Sequence, residues 1–358
     1  MTIHVRLMTG PNGTQIGILA LSAPERINAQ NLSMVRQMSA ALNDWRDQAQ
    51  IVAVVMIGAG ERGFCAGGDL KALHAAMTQP GELAQGDAFF SEEYVLCQMI
   101  RDYAKPVMAW GHGIVMGGGW GLFAAASHKV VTENSKLAMP ETAIGLFPDV
   151  AASRWLAELA GFGPFLALSG AAINASDALY CGAAQWALPE SSRHQVLMDL
   201  SALAWQGQAE LDRVVLSDYL TQAAQQAELT LPEGHLAAHP DLLRGCASGS
   251  LNDALHHMSY FSTLDDAWLA AAALRVQRAS PTSLWLAWTL QQRCAALSFA
   301  QTVQLETEVS AACLRYGDFA AGIYATLFDR SRSPVWQQGQ ANQLEVSNLA
   351  QAFPMLCN

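Results

Sequence analysis

Residues 51–60, IVAVVMIGAG, form an unbroken apolar run ending in Gly58 and Gly60, the pattern of a strand buried on both faces. Upstream, VRLMTG and TQIGILALS flank Asn12-Gly13, a favoured hairpin pair. NLSMVRQMSAALNDWRDQ follows, with Leu32, Val35, Met38, Leu42 and Trp45 at helical spacing. A second cycle starts at Lys105: strand PVMAW, a glycine turn, a short apolar helix, strand HKVVTEN and the SKLAMPE segment. Strands alternating with helices in this way predict an α/β fold. From about Ala151 the chain turns helical and alanine-rich, and VAASRWLAELAG predicts a helix starting near residue 150. LPEGHLAAHPDLLRGCASGS, residues 231–250, reads as a loop or lid-like excursion. SPTSLWLAWTLQQRCAALS and SFAQTVQLETEVSAACLRY read as amphipathic helices, the first opened by Ser280-Pro281. The expected division is a ββα core over residues 1–195 and a helical C-terminal region over 196–358.

Composition narrows the function classes. With 51% hydrophobic and 14% charged positions over 358 residues, the chain can build a substantial core. A formal net charge of −11 argues against nucleic acid as a partner, because phosphate-binding surfaces need clustered Lys and Arg. Cys65, Cys97, Cys181, Cys246, Cys294, Cys313 and Cys357 form no CxxC pair, which suggests reduced, mostly buried thiols in a cytoplasmic protein. MTIHVRLMTG lacks the basic and apolar regions of a signal peptide. PVMAWGHGIVMGGGWGLFAAAS, residues 106–127, is apolar enough to suggest a membrane span, but its six glycines would make a weak helix. A strand, a tight turn and a buried helix fit it better, so no membrane association is expected. His256-His257 lacks a third ligand at useful spacing, and no metal site is expected.

Three glycine-bearing turns are the places where chemistry could reside. In ERGFCAGGDLKAL, residues 61–73, Gly67-Gly68 precede Asp69, a candidate helix N-cap. Backbone N–H groups at such a place can face an anion or a developing negative charge. In GHGIVMGGGWGLF, residues 111–123, three consecutive glycines open an apolar helix, which marks close backbone approach. The GGGxG spacing does not make a dinucleotide fingerprint, and His112 stands where a nucleophile elbow would need serine. In MPETAIGLFPDV, residues 139–150, Glu141 and Asp149 sit eight residues apart in apolar surroundings. A buried carboxylate costs several kcal/mol unless paired or hydrogen-bonded. From the residues alone the two are either a reacting pair, or a salt-bridged loop carboxylate and a helix cap.

Taken together, GFCAGGDL, GIVMGGGWG and MPETAIGLFPDV resemble, in order and spacing, the crotonase (enoyl-CoA hydratase/isomerase) superfamily. Within it the chain is most similar to the 3-hydroxyisobutyryl-CoA hydrolase branch, through MPETAIGLFPDV, FFSEEY at 89–94, SPTSL at 280–284, ACLRYGDFAAGIYATLFDR at 312–330 and SPVW at 333–336. The resemblance covers nearly the whole chain and is weakest at about 190–275. It implies a crotonase-like spiral of ββα units with a helical C-terminal region. It also implies an acyl-CoA thioester as substrate, with coenzyme A part of the substrate and no separate cofactor. By position, the N–H groups of Gly68 and Gly118 would form an oxyanion hole, and Ala66, Gly67 and Leu70 would line the passage for the CoA arm.

Hydratases of the superfamily carry two glutamates, one in the helix after GGG and one in the P-E segment. Here Gly121 occupies the first position and Glu141 the second. A glycine can neither hold nor deprotonate a water, so the resemblance points to the hydrolase branch, where Glu141 and Asp149 would react as a pair. Glu141 would attack the thioester carbonyl or act as base toward water, and Asp149 would bind the 3-hydroxyl or orient the water. Glu93 matches a further substrate-contacting position; read alone, it is an exposed helix carboxylate beside Glu92. The chain departs from the family in having Ala151-Ala152-Ser153 where glycines are usual, which would narrow the acyl pocket or shift the helix start. It also has Glu25 where lysine is common, leaving Arg26 as the candidate for the CoA phosphates. The alternatives are an enoyl-CoA hydratase or isomerase using Glu141 alone, and a non-catalytic acyl-CoA-binding protein. Relatives are often trimers or pairs of trimers, so a homo-oligomer is a possible assembly.

Overall fold

The computed structural model describes residues 2–339 and 346–356; Cys357 lies outside them. The hairpin is β1 (Thr2–Thr9) and β2 (Gln15–Ser22), antiparallel, with Thr9 opposite Gln15. Helix α1 (Leu32–Trp45) follows, capped by Asn31, whose side chain accepts from the Met34 N–H. It buries Val35, Met38, Leu42 and Trp45, the stripe read from the spacing. Next come β3 (Ile51–Gly58), β4 (Gly63–Cys65), α2 (Leu70–Thr78) and α3 (Leu83–Arg101). The third cycle is β5 (Val107–Gly111), β6 (Ile114–Met116) and α4 (Gly118–Ala125), and the fourth opens with β7 (His128–Val131) and β8 (Lys136–Ala138).

The cycles distribute their strands between two sheets. The six-stranded sheet has the order β1-β2-β3-β5-β7-β9, where β9 is Trp186–Ala187, and the short second strands form a sheet of order β4-β6-β8. From β2 to β9 the neighbours in the larger sheet are parallel. The first cycle places both β1 and β2 in the larger sheet, and the next three strand pairs each add one strand to each sheet.

After β8 come α5 (Ala152–Trp155), α6 (Gly163–Ser169), α7 (Ala175–Tyr180), α8 (Arg193–Ala202) and α9 (Ala209–Gln226). Then follow α10 (Pro240–Arg244), α11 (Leu251–Ser259), α12 (Ala267–Arg278), α13 (Pro281–Cys294), α14 (Phe299–Tyr316), α15 (Asp318–Leu327) and α16 (Val346–Ala352). Ser280 caps α13, as expected from Ser280-Pro281, and Ser298 caps α14. Two expectations are corrected. The helix near residue 150 is the single turn α5, because Val150 and Ala151 take positive φ and keep the helix from starting earlier. The 231–250 stretch is not all loop: Pro240, whose missing N–H costs nothing at a first helical position, opens α10.

The chain divides into two compact units, each built from interleaved segments. One comprises 1–68, 95–137 and 173–234. Its core packs Ile16, Ile18, Val55, Trp110 and Val130 of the sheet with Val196 and Leu200 of α8 and Leu216 and Leu220 of α9. The other comprises 69–94, 138–172 and 235–358 and holds α10 to α16. The division at residue 195 is one of element type, since the last strand among the described residues is β9, and it is a different partition from the compact units. Among the described residues no helix is long and apolar enough to cross a membrane.

Candidate active site

In the strand-bearing unit, two glycine turns lie against each other. Gly67 has φ +97°, and a Cβ there would come 3.1 Å from the Met116 carbonyl oxygen and 3.5 Å from the Gly118 nitrogen. A Cβ on Gly119 would clash with the Cys65 carbonyl oxygen. Gly119 thus meets a steric demand, since the start of α4 can approach β4 this closely only without a side chain there, and Gly117 takes φ +54°. Ala66 is tied to the loop that carries Arg26, its N–H donating to the Ile27 carbonyl at 2.9 Å. Gln30 pairs with the same turn, its N–H donating to the Gly67 carbonyl at 2.7 Å. Arg26 is exposed at the end of a 3-10 turn over Pro24–Arg26. Gly68 and Gly118 sit in the two turns so joined, and Leu70 begins α2 behind the cap Asp69, which accepts from the Lys71 and Ala72 N–H groups.

In the helix-rich unit, Glu93, Glu141 and Asp149 are all buried. Burial is the largest cause raising Glu141 well above the usual carboxylate range; the charge of Asp149 comes next, and Glu93 adds to it. Glu93 is raised likewise, by burial and then by Asp149. Burial pushes Asp149 up to about 7, against the opposing effect of the Tyr94 hydroxyl, which donates to its Oδ2 at 2.8 Å. Like charges this deep cannot all ionise together, so the cluster holds protons that single exposed carboxylates would shed. The Glu141 Oε2 is buried with no hydrogen-bond partner. An orphaned acceptor of this kind costs about 1–3 kcal/mol in a resting protein, and a hydroxyl or water placed beside it would relieve that cost.

The segment bearing Glu141 is held from several sides. Glu141 opens a 3-10 turn, Glu141–Ile144, that closes on Gly145 at φ +81°. A Cβ on Gly145 would strike the Asp318 backbone at the start of α15. The Ser280 N–H donates to the Thr142 carbonyl at 2.9 Å. The Ser280 hydroxyl donates to Asp318 Oδ2 at 2.7 Å, and the Gln337 N–H donates to Asp318 Oδ1 at 2.7 Å. Ser280 of SPTSL, Asp318 and the residue after SPVW therefore form one chain of hydrogen bonds that fixes the Glu141 turn.

Asp149 is not a helix cap. The N-cap of α5 is Ala151, which offers no side-chain acceptor, and the Asp149 carboxylate meets Tyr94 instead. Nor is Glu93 exposed: it shares the buried face of α3 with Phe89, Phe90 and Tyr94, and is 1% exposed. Sequence reading missed Tyr94 and Glu306. Tyr94 belongs to FFSEEY and continues its buried stripe. Glu306 lies on the buried face of α14 among Thr302, Val303, Val309 and Ser310, so a charged residue in an apolar stripe was the signal. Burial pushes Glu306 up to about 8 although its carboxylate accepts from the Ala151 and Ser153 N–H groups. His256 and His257 lie on α11, with His257 Nε2 meeting the Leu242 carbonyl at 2.8 Å.

Comparison with known proteins follows the same lines. The sequence pattern of the enoyl-CoA hydratase/isomerase family matches residues 16–353. The chain is 33% identical to the mitochondrial 3-hydroxyisobutyryl-CoA hydrolase of Danio rerio, over 94% of this chain and 88% of that protein. It is 31% identical to the corresponding Homo sapiens protein, over 95% and 86%. Among solved structures, it resembles an enoyl-CoA hydratase from Rhodobacter sphaeroides with a TM-score of 0.82 at 29% identity, covering 98% of this chain and 96% of that one. It resembles a carnitinyl-CoA dehydratase from Mycobacterium thermoresistibile with a TM-score of 0.80 at 29% identity, with the same coverage. The expected crotonase-like arrangement of ββα cycles and a helical C-terminal region is the fold observed, and the chain belongs to the enoyl-CoA hydratase/isomerase family.

Proposed function

We propose that this protein hydrolyses the thioester of a short 3-hydroxyacyl-CoA, most specifically 3-hydroxyisobutyryl-CoA, to the free acid and CoA. The observation that carries the reading is the buried carboxylate cluster, in which Asp149 is hydrogen-bonded and Glu141 Oε2 is left without a partner. Gly121, in place of a second hydratase glutamate, supports it, as do the names of the relatives over most of the chain. Raised pKa values suit proton transfer near neutral pH. Glu93 and Asp149 would take the substrate hydroxyl. The N–H groups of Gly68 and Gly118 would receive the negative charge that develops on the thioester oxygen, Ala66, Gly67 and Leu70 would flank the CoA arm, and Arg26 would meet its phosphates. The six described cysteines are buried and none is in a disulfide, a state that a reducing compartment such as the cytoplasm maintains.

Two routes use the same Glu141 oxygen. In one it attacks the carbonyl carbon, the C–S bond breaks, CoA leaves as thiolate, and water then opens the mixed anhydride. In the other it takes a proton from the attacking water. Single turnover in ¹⁸O-water separates them: the first can leave label in the Glu141 peptide, whereas the second leaves label only in the product acid. The direct test of function is thiol release from 3-hydroxyisobutyryl-CoA, 3-hydroxypropionyl-CoA and crotonyl-CoA. Rapid release from the hydroxyacyl esters supports hydrolysis. Loss of crotonyl-CoA absorbance with no thiol release from any ester supports instead hydration or isomerisation by Glu141 alone, the reading favoured by the fold's likeness to solved hydratases.

A further inference from the structure

Directly after Asp149, Val150 has φ +53° and Ala151 φ +61°. Left-handed backbone is uncommon for any residue with a side chain, and a β-branched residue there is an outlier that persists only when its surroundings impose it. The turn next opens α5, whose N-cap Ala151 has no side chain able to accept the free N–H groups of a helix start. Those N–H groups find an acceptor far along the chain. Glu306 Oε2 accepts from the Ala151 N–H at 2.6 Å and Glu306 Oε1 from the Ser153 N–H at 3.1 Å, across 155 and 153 positions. Both oxygens are used, and the carboxylate is wholly buried.

We propose that Glu306 is a positioning residue: it caps α5 from α14 and thereby holds the left-handed Val150-Ala151 turn that aims Asp149. This rests on the proposed role of Asp149 in hydrolysis. The backbone preference opposes the turn, and nothing in Ala151, Ala152 or the preceding Val150 supplies a cap. Without Glu306 the turn would relax toward ordinary helical or extended φ and carry the Asp149 carboxylate with it. A carboxyl group is required rather than an amide, because both of its oxygens can accept, whereas glutamine offers one acceptor oxygen and sets an N–H₂ against the second backbone N–H.

The test measures kcat, KM and Tm for the wild-type protein, Glu306→Gln, and Glu306→Gln combined with Ala151→Gly, by thiol release from 3-hydroxyisobutyryl-CoA. Glu306→Gln should lower kcat by about 10- to 100-fold, with KM changed less than about threefold, the effect of a misplaced but present reacting group. Ala151→Gly should restore most of that loss, because glycine takes positive φ unaided. Should Glu306→Gln not accumulate as folded protein, Glu306→Asp, which keeps both oxygens but draws them back by one methylene, should show the same fall and the same rescue. If the folded variants keep wild-type kcat, or if Ala151→Gly restores Tm without restoring kcat, Glu306 is only a cap and the proposal is wrong. Absence of thiol release by the wild-type protein would instead overturn the hydrolase reading, and the positioning role with it.

Discussion

The glycine turns and the carboxylate cluster are built on opposite principles. The turns are made of consecutive residues, Cys65 to Gly68 and Met116 to Gly119, and depend on what is missing: a Cβ on Gly119 would clash with the Cys65 carbonyl oxygen. The cluster depends on what is present, and its parts come from far apart: Glu93 and Tyr94 on α3, Glu141 and Asp149 on one strap, Glu306 on α14. A backbone site needs only local conformation. A buried carboxylate needs a neighbour to satisfy it, and folding supplies that neighbour from any part of the chain.

This contrast can be broken most strongly on the substrate side. A cluster that meets a hydroxyl should reject an ester lacking one, so isobutyryl-CoA should fall below 3-hydroxyisobutyryl-CoA in kcat/KM by about 10⁴, as for sites built to hydrogen-bond a substrate hydroxyl. Equal values would mean that Glu93 and Asp149 do not meet the hydroxyl. On the backbone side, Gly119→Ala should cost more than about 4 kcal/mol, because the added carbon meets main chain that cannot rotate away. Denaturant unfolding measures it, and a cost below about 1 kcal/mol would show that the close approach is not required.

Smaller effects sharpen the account of the cluster. Tyr94→Phe removes the hydroxyl that donates to Asp149, whose effect is to lower the Asp149 pKa. Its loss should lower kcat by about tenfold and move the Asp149 limb of the pH–rate profile to higher pH. An unmoved limb would detach Tyr94 from the titrating group. The smallest effect is on stability. Asp149 and Glu306 are raised from ordinary values of 3.8 and 4.5 to about 7 and about 8, so over that window the folded chain binds more protons than the unfolded chain. Their contribution is complete below the ordinary values and is lost as pH rises through about 7 to about 8. Glu306→Gln should therefore flatten the decline in Tm between about pH 5 and about pH 8 by a few °C.

Much of this was legible in the chain. The apolar run at 51–60, the Asn12-Gly13 hairpin and the serine at 280 that opens α13 act within a few residues, and each stands where the pattern places it. Glu141 and Asp149 stood out because apolar neighbours and prolines surround them. The short reach of α5 was not legible, since nothing in VAASRW announces positive φ at a valine and an alanine; an acceptor 155 residues away holds that turn. Glu93 showed the opposite failure: its neighbour Glu92 suggested a solvated face, while spacing from Phe89 and Phe90 placed it inside.

The most direct test of the central claim follows thiol release from 3-hydroxyisobutyryl-CoA and enoyl absorbance of crotonyl-CoA in parallel, for wild-type protein, Glu141→Gln and Asp149→Asn. The account predicts thiol release by the wild-type protein that falls by about 100-fold or more in each variant, as when either member of an acting pair is removed. Thiol release that survives in Asp149→Asn, or a wild-type protein that changes only the enoyl absorbance, would contradict it.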